Sequence, residues 1–135
     1  MAIIAIDLGA RRIGIAASRS ESIASPHSVM KNEGDIVQKI TRIGEELEAT
    51  EYVVGLPLRT HTSPAESKYH QFADALRQRS CKPVTLWDES LSTVEAAEML
   101  RSEGLSRRES KERIDMVAAA VILQSFLDDR SRSSS

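Results

Sequence analysis

Residues 1–18 read MAIIAIDLGARRIGIAAS. An apolar run from Ile3 to Ile6 ends on Asp7. Leu8 and Gly9 follow, then a basic tip at Arg11 and Arg12, then a second apolar run from Ile13 to Ala17. Apolar runs bounded by glycine read as buried strands. Two of them joined by so short a connection predict an antiparallel hairpin. A carboxylate ending a buried strand sits where a sheet opens to ligands, and it needs a partner there. With backbone N–H groups and two arginines beside it, the arrangement suits phosphate or metal–phosphate chemistry.

The rest of the chain extends this hairpin into an α/β domain. Ile23 to Met30 supplies a third strand, and Pro26 within it predicts a sheet edge. Asn32, Glu33 and Gly34 are turn residues. Asp35 with Gln38 reads as a capping box, and Ile36, Val37, Ile40, Ile43 and Leu47 continue at helical spacing. Tyr52 to Leu56 is a short buried strand stopped by Pro57. Ser63, Pro64 and Glu66 start a second helix with Tyr69, Phe72, Ala73 and Leu76 on its apolar face. Pro83 to Trp87 is a further strand, running into Asp88 and Glu89. Ser92 with Glu95 opens another helix that ends at Gly104. The last helix is predicted from about Arg108 to Leu127, with a stripe of Ile114, Val117, Ala118, Val121 and Ile122. Helical crossovers favour parallel strands. The reading is therefore a mixed five-stranded sheet, three antiparallel strands then two parallel ones, flanked by about four helices. Residues 1–128 form one domain, and residues 129–135 form a short polar tail expected to be disordered.

Composition narrows the function classes. At 135 residues, 41% hydrophobic, the chain can bury a sizeable core. A net charge of -2 excludes nucleic-acid binding by bulk electrostatics, so any such role uses local basic patches or metal ions. The single cysteine, Cys81, excludes a disulfide framework and zinc-finger spacing. No secretory leader or membrane-length apolar run is present, so a cytoplasmic protein without membrane partners is expected.

Asp7 ends the first strand, and Asp88 and Glu89 follow the last. Open α/β sheets bind ligands beyond the carboxyl ends of their parallel strands, so these acids are expected at one edge. Asp115 sits on the last helix at the border of its apolar stripe, one turn from Ala118 and Ala119. Three carboxylates in one cleft repel each other unless a cation neutralises them. Oxygen ligands select Mg²⁺ or Mn²⁺ over zinc, and two such ions clamp a phosphodiester. Singly, Asp88 and Asp115 read more simply as caps or solvated charges. The case rests on the acids together.

Four ordered blocks carry a family resemblance: AIDLGARRIGIA near the start, VVGLPL at 53–58, DESLSTVEA at 88–96 and ERIDMVAAAVILQSFL at 112–127. Together they resemble the YqgF family of RNase H-fold proteins, known as Holliday junction resolvases, whose bacterial members are associated with 5′-end processing of the small-subunit rRNA precursor. The resemblance implies an RNase H-like fold and a metal-dependent nuclease. It implies that Asp7, Glu89 and Asp115 are the catalytic, metal-binding acids, with Asp88 the less certain neighbour. Two positions depart from the family pattern. Ser90 stands where an arginine is usual and Ser92 where the first threonine is usual. The loop after GLPL reads Arg59-Thr60-His61-Thr62 in place of a sequence like Asn-Met-Asp-Gly. The lost arginine removes a phosphate clamp, which Arg59 is placed to replace.

Arg11, Arg12, Arg59, Arg108 and Lys111 are the candidate nucleic-acid contacts. The simpler reading of Arg11 and Arg12 is an exposed hairpin tip. The simpler reading of residues 101–113, with five basic and three acidic side chains, is a solvated helix face. His61 reads as a solvated loop residue, and Tyr69, Phe72 and Trp87 as core. The expected partner is structured RNA or branched DNA, and the protein a monomer or homodimer. A four-way junction resolvase needs two active sites. A non-catalytic RNA-binding assembly module is a second class. An ATP-dependent phosphotransferase is a third, disfavoured because the chain has one such domain and no second phosphate loop.

Overall fold

The computed structural model describes residues 2–20, 22–56, 65–88 and 111–133. Strands β1 (Ala2–Leu8), β2 (Arg12–Ser18) and β3 (Ser25–Lys31) come first. Helix α1 (Ile36–Glu46), strand β4 (Ala49–Leu56), helix α2 (Ala65–Ser80), strand β5 (Val84–Asp88) and helix α3 (Lys111–Ser133) follow. The five strands lie in the order β3-β2-β1-β4-β5. β1–β2 and β2–β3 are antiparallel, whereas β1–β4 and β4–β5 are parallel. This is the predicted mixed sheet, with β3 and its Pro26 at an edge. The helix expected after Ser92 lies outside the described residues.

Strand alternation splits the core into two layers. Ile4, Ile6 and Leu8 of β1 pack with Ile13, Ile15, Tyr52 and Val54 against Ile40 of α1 and Phe72, Ala73 and Leu76 of α2. Ile3 and Ala5 pack with Ala16 and Val53 against Ala119, Ala120, Leu123 and Phe126 of α3. β1 is thus buried on both faces, which is why it reads as a continuous apolar run. The cap of α1 forms as predicted, with Gln38 N donating to Asp35 Oδ1 at 3.1 Å.

α3 differs from the sequence reading in two ways. Its buried surface centres on Ala119, Ala120, Ile122, Leu123, Phe126 and Leu127, while Val117, Ala118 and Val121 are only half-buried. Residues 122–127 are all buried, including Gln124 and Ser125, so no single stripe describes this part of the helix. Gln124 is satisfied there: it accepts from Ala24 N at 3.0 Å and donates to the Ser22 carbonyl at 2.7 Å. α3 also continues to Ser133, through most of the segment expected to be a disordered tail. Arg130 accounts for this. It donates to both oxygens of Glu51, at 2.5 and 2.9 Å, and lies 4.5 Å from the centre of the Phe126 ring. A two-pronged ion pair over an aromatic face holds the final turns on the domain.

Gly44 of α1 faces Tyr52 so closely that a Cβ there would overlap the phenol oxygen. Glycine normally weakens a helix interior by about 1 kcal/mol relative to alanine. Here the close approach reverses the sign. Gly44→Ala is expected to destabilise the protein by about 1–3 kcal/mol, the range for overpacking a core, read as a lower urea midpoint. An unchanged or higher midpoint would show that α1 is not seated on Tyr52. Burial, and secondarily the charge of Glu45, raise the Tyr52 pKa above its usual 10.0. A raised phenol pKa contributes stability that is intact below the unfolded value and lost as pH climbs through the folded one. Tyr52→Phe is therefore expected to flatten the alkaline loss of stability in urea titrations run above pH 10.0.

Candidate active site

Asp7 lies near the carboxyl end of β1 and is half-buried. Its neighbours Ile6 and Leu8 belong to the layer under α1 and α2, whereas Ile3 and Ala5 belong to the layer under α3. Alternation therefore puts Asp7 on the α3 face. On β2 it is directly opposite Gly14. On β4 its neighbour is Gly55, one residue beyond the Ile6–Val54 pair, and Gly55 in turn pairs with Trp87 of β5. Across the α3 face the row runs Gly14, Asp7, Gly55, Trp87. The positions directly beside Asp7 on both adjacent strands are glycines. Glycine inside a strand commonly marks a place where a ligand or backbone comes close.

Asp88 ends β5, at the same end of the sheet. It shares the parity of Val84 and Leu86, which pack in the α1–α2 layer, while Trp87 packs in the α3 layer. The expectation that Asp7 and Asp88 converge is met for the sheet end and not for the face: alternation turns Asp88 away from Asp7. Trp87 is half-buried and packs against the α3 layer of the core, close to its simpler reading. Its Nε1 donates to Ser125 Oγ at 3.3 Å, and its ring meets Phe126 edge-on with centroids 5.3 Å apart.

α3 runs antiparallel to β1. Its Arg130 reaches Glu51 near the start of β4, and its Gln124 holds the segment just before β3. That segment lies beside Ser18, the partner of Ile3 at the start of β1. From Gln124 back to position 115 the helix rises about 13 Å, at about 1.5 Å per residue. From Ile3 to Asp7 the strand advances about 13 Å, at about 3.3 Å per residue. Position 115 is one turn ahead of the buried Ala119, on the part of α3 that runs toward the carboxyl end of β1. Glu89, Arg59, His61 and Arg108, and the side chains of Lys111 and Asp115, lie outside the described residues. Among the described residues no three His, Cys, Asp or Glu side chains gather as a metal site, and no helix is long and apolar enough to cross a membrane.

Arg11 and Arg12 occupy the hairpin tip, Arg11 exposed and Arg12 half-buried. Two features fix the tip. Gly9 N donates to the carbonyls of Asp7 at 3.1 Å and Arg12 at 3.0 Å, and a Cβ on Gly9 would overlap the Arg12 carbonyl oxygen. Asn32 then clamps the turn from β3: its Nδ2 donates to the Gly9 carbonyl at 2.8 Å, and its backbone N donates to the Arg11 carbonyl at 2.8 Å. Sequence reasoning assigned Asn32 to a turn and missed this clamp. A side-chain bond spanning 23 residues leaves no local signal.

The chain is similar to other proteins in sequence and in structure. A relative from Chloroflexus aurantiacus, named "Putative pre-16S rRNA nuclease", is 39% identical over 133 residues, covering 95% of this chain and 87% of its own length. A relative of the same name from Rhodococcus jostii is 44% identical over 140 residues, covering 96% and 79%. Among solved structures, Thermus thermophilus RuvC in complex with Holliday junction substrate superposes with a TM-score of 0.68 at 16% identity, covering 97% of this chain and 96% of that one. The fowlpox virus Holliday junction resolvase gives 0.60 at 12% identity, covering 96% and 99%. At these identities the structures establish the fold alone, an RNase H-like fold shared with RuvC. Residues 1–129 match the family described as "RuvX: Holliday junction resolvase", and the chain belongs to that family. The resemblance drawn from the four sequence blocks is borne out.

Removing the Asn32 amide leaves the half-buried Gly9 carbonyl without that donor. Asn32→Ala is expected to cost about 1–2 kcal/mol, and Gly9→Ala at least as much, both read by urea denaturation. Hydrogen exchange at the tip amides is expected to accelerate in both variants. Wild-type exchange there would show that the tip does not depend on this clamp.

Proposed function

We propose that this protein is a nuclease that hydrolyses phosphodiester bonds of the 16S rRNA precursor in 5′-end processing, and that it requires Mg²⁺ or Mn²⁺. The observation that carries the reading is the carboxylate of Asp7 at the open end of a buried strand, in a row whose flanking positions are Gly14 and Gly55. The curated relatives named for pre-16S rRNA nuclease support the substrate. The donor chemistry fits a hard divalent cation: a carboxylate oxygen on a strand whose directly adjacent positions are glycines. Asp7, Glu89 and Asp115 would hold the ion or ions. When bound, two such ions supply an activated water and stabilise the leaving oxygen.

The chain's own groups do the rest. Asp7 is held in place by β1, whose both-face burial fixes the register of the carboxylate. Arg11 and Arg12 hold the backbone of the substrate through charge-assisted hydrogen bonds to phosphate. Arg59 replaces the charge missing at Ser90. Arg108 and Lys111 add positive charge along the substrate path. Cytoplasmic location fits a precursor-rRNA substrate.

A second reading is four-way DNA junction resolution. It is favoured by the likeness to a RuvC structure that holds such a junction and by the family description. It requires a homodimer, because symmetric resolution needs two sites.

Asp7→Asn is expected to reduce Mn²⁺-dependent cleavage of a pre-16S rRNA fragment by about a hundred- to a thousandfold, the scale of losing one essential electrostatic group. The same variant should lose the rise in thermal midpoint that Mn²⁺ gives the wild type, since a ligand bound only to the folded state stabilises it. Full cleavage by Asp7→Asn would refute the site. Faster cleavage of a four-way DNA junction than of the RNA, by a dimeric protein, would favour the second reading.

A further inference from the structure

Asp7 is not the last functional position on its face of the sheet. Two residues beyond Gly14 along β2 comes Arg12, with the same parity and therefore on the α3 face. Directly opposite Arg12 on β3 is Lys31. The pair lies one same-face step, about 7 Å, past the Gly14–Asp7 row. Arg11 stands beside it at the tip, locked by Asn32. These residues line an open concavity of about 530 Å³, whose walls hold three cations and one acid, Glu33. The whole chain carries a net charge of -2, so this is a local reversal of sign.

Arg12 and Lys31 thus set two cationic side chains next to each other on one face at the sheet edge. Lys31 is exposed and makes no ion pair among the described residues. A polyanion laid along the groove would meet both side chains and release its counterions. The concavity opens at the carboxyl end of β1, the end that holds Asp7.

We propose that Arg12 and Lys31, opposed on β2 and β3 and extended by Arg11, form a docking groove for the phosphodiester backbone of the RNA strand leading away from Asp7. The inference rests on the nuclease reading for its ligand and adds Lys31, which no sequence signal singled out. It also gives the strand a direction: from Asp7 over the tip toward the β3 edge.

The test separates binding from cleavage. In the Asp7→Asn background, binding of a labelled single-stranded RNA is followed by fluorescence anisotropy over a range of salt. For single strands each phosphate contact contributes about 0.7 to the slope of log K against log salt. Arg12→Gln with Lys31→Gln is expected to lower that slope by about 1.4 and to weaken binding on the order of tenfold. Lys31→Arg keeps the charge and should keep the slope. Lys82→Gln, at the amino end of β5 and away from the groove, should also keep it. Matching thermal midpoints confirm that each variant is folded. An unchanged slope in the double variant, an equal loss in Lys82→Gln, or a loss seen only with a four-way DNA junction would overturn the groove. Cleavage is scored separately on the Asp7-containing protein. Cleavage with an unchanged slope sinks the groove alone, whereas a reduced slope with no cleavage under any metal sinks the nuclease reading alone.

Discussion

The register of β1 between β2 and β4 is the constraint on which the fold around Asp7 depends. Ile4, Ala5 and Ile6 are fully buried, with one parity under α1 and α2 and the other under α3. Side chains alternate with a period of two, so a slip of one residue would exchange the layers and turn Asp7 to the other side. The two packed layers forbid that slip. β2 contributes Gly14 and Arg12 to the α3 face and β4 contributes Gly55, each at a level fixed by pairing with the same central strand. The apolar run that makes β1 a strand thus also sets the position of its one acid.

Much of this was legible in the chain because the signals are local. The hairpin needed only two apolar runs and Gly9. The cap at Asp35 needed only the spacing to Gln38. The edge position of β3 needed only Pro26. Parallel pairing of β4 and β5 followed from the intervening helices. The features that escaped are those decided by distant partners. The burial of α3 shifted toward Leu123 and Phe126 because Trp87 and the segment before β3 pack around it, and its end was held by Glu51, far away in sequence. The facing of Asp88 depended on where β5 begins its alternation, which composition does not fix. Asn32 and Lys31 became meaningful only once β3 was seen against β2.

Around Asp7 several residues contradict what a sheet alone would choose. Glycines occupy interior strand positions at 14 and 55, and two cations face each other at 12 and 31. Elsewhere, local preference and packing agree, as in the Ile-rich face of β1 and the aliphatic face of α2. Departures from local preference that gather in one place, inside a frame that otherwise obeys it, coincide here with the proposed site.

The β3 edge has a bearing on assembly. A free edge strand is a template on which a second chain can add its own strand and continue the sheet. Here Pro26 brings no N–H to the edge, and the register with β2 shifts between Ile15 and Ala16, so that His27 is an extra residue on β3. Proline and a bulge are two of the devices that blunt edge-to-edge growth. A two-fold assembly of this chain would therefore not continue the sheet through its β3 edge, leaving that rim open to solvent.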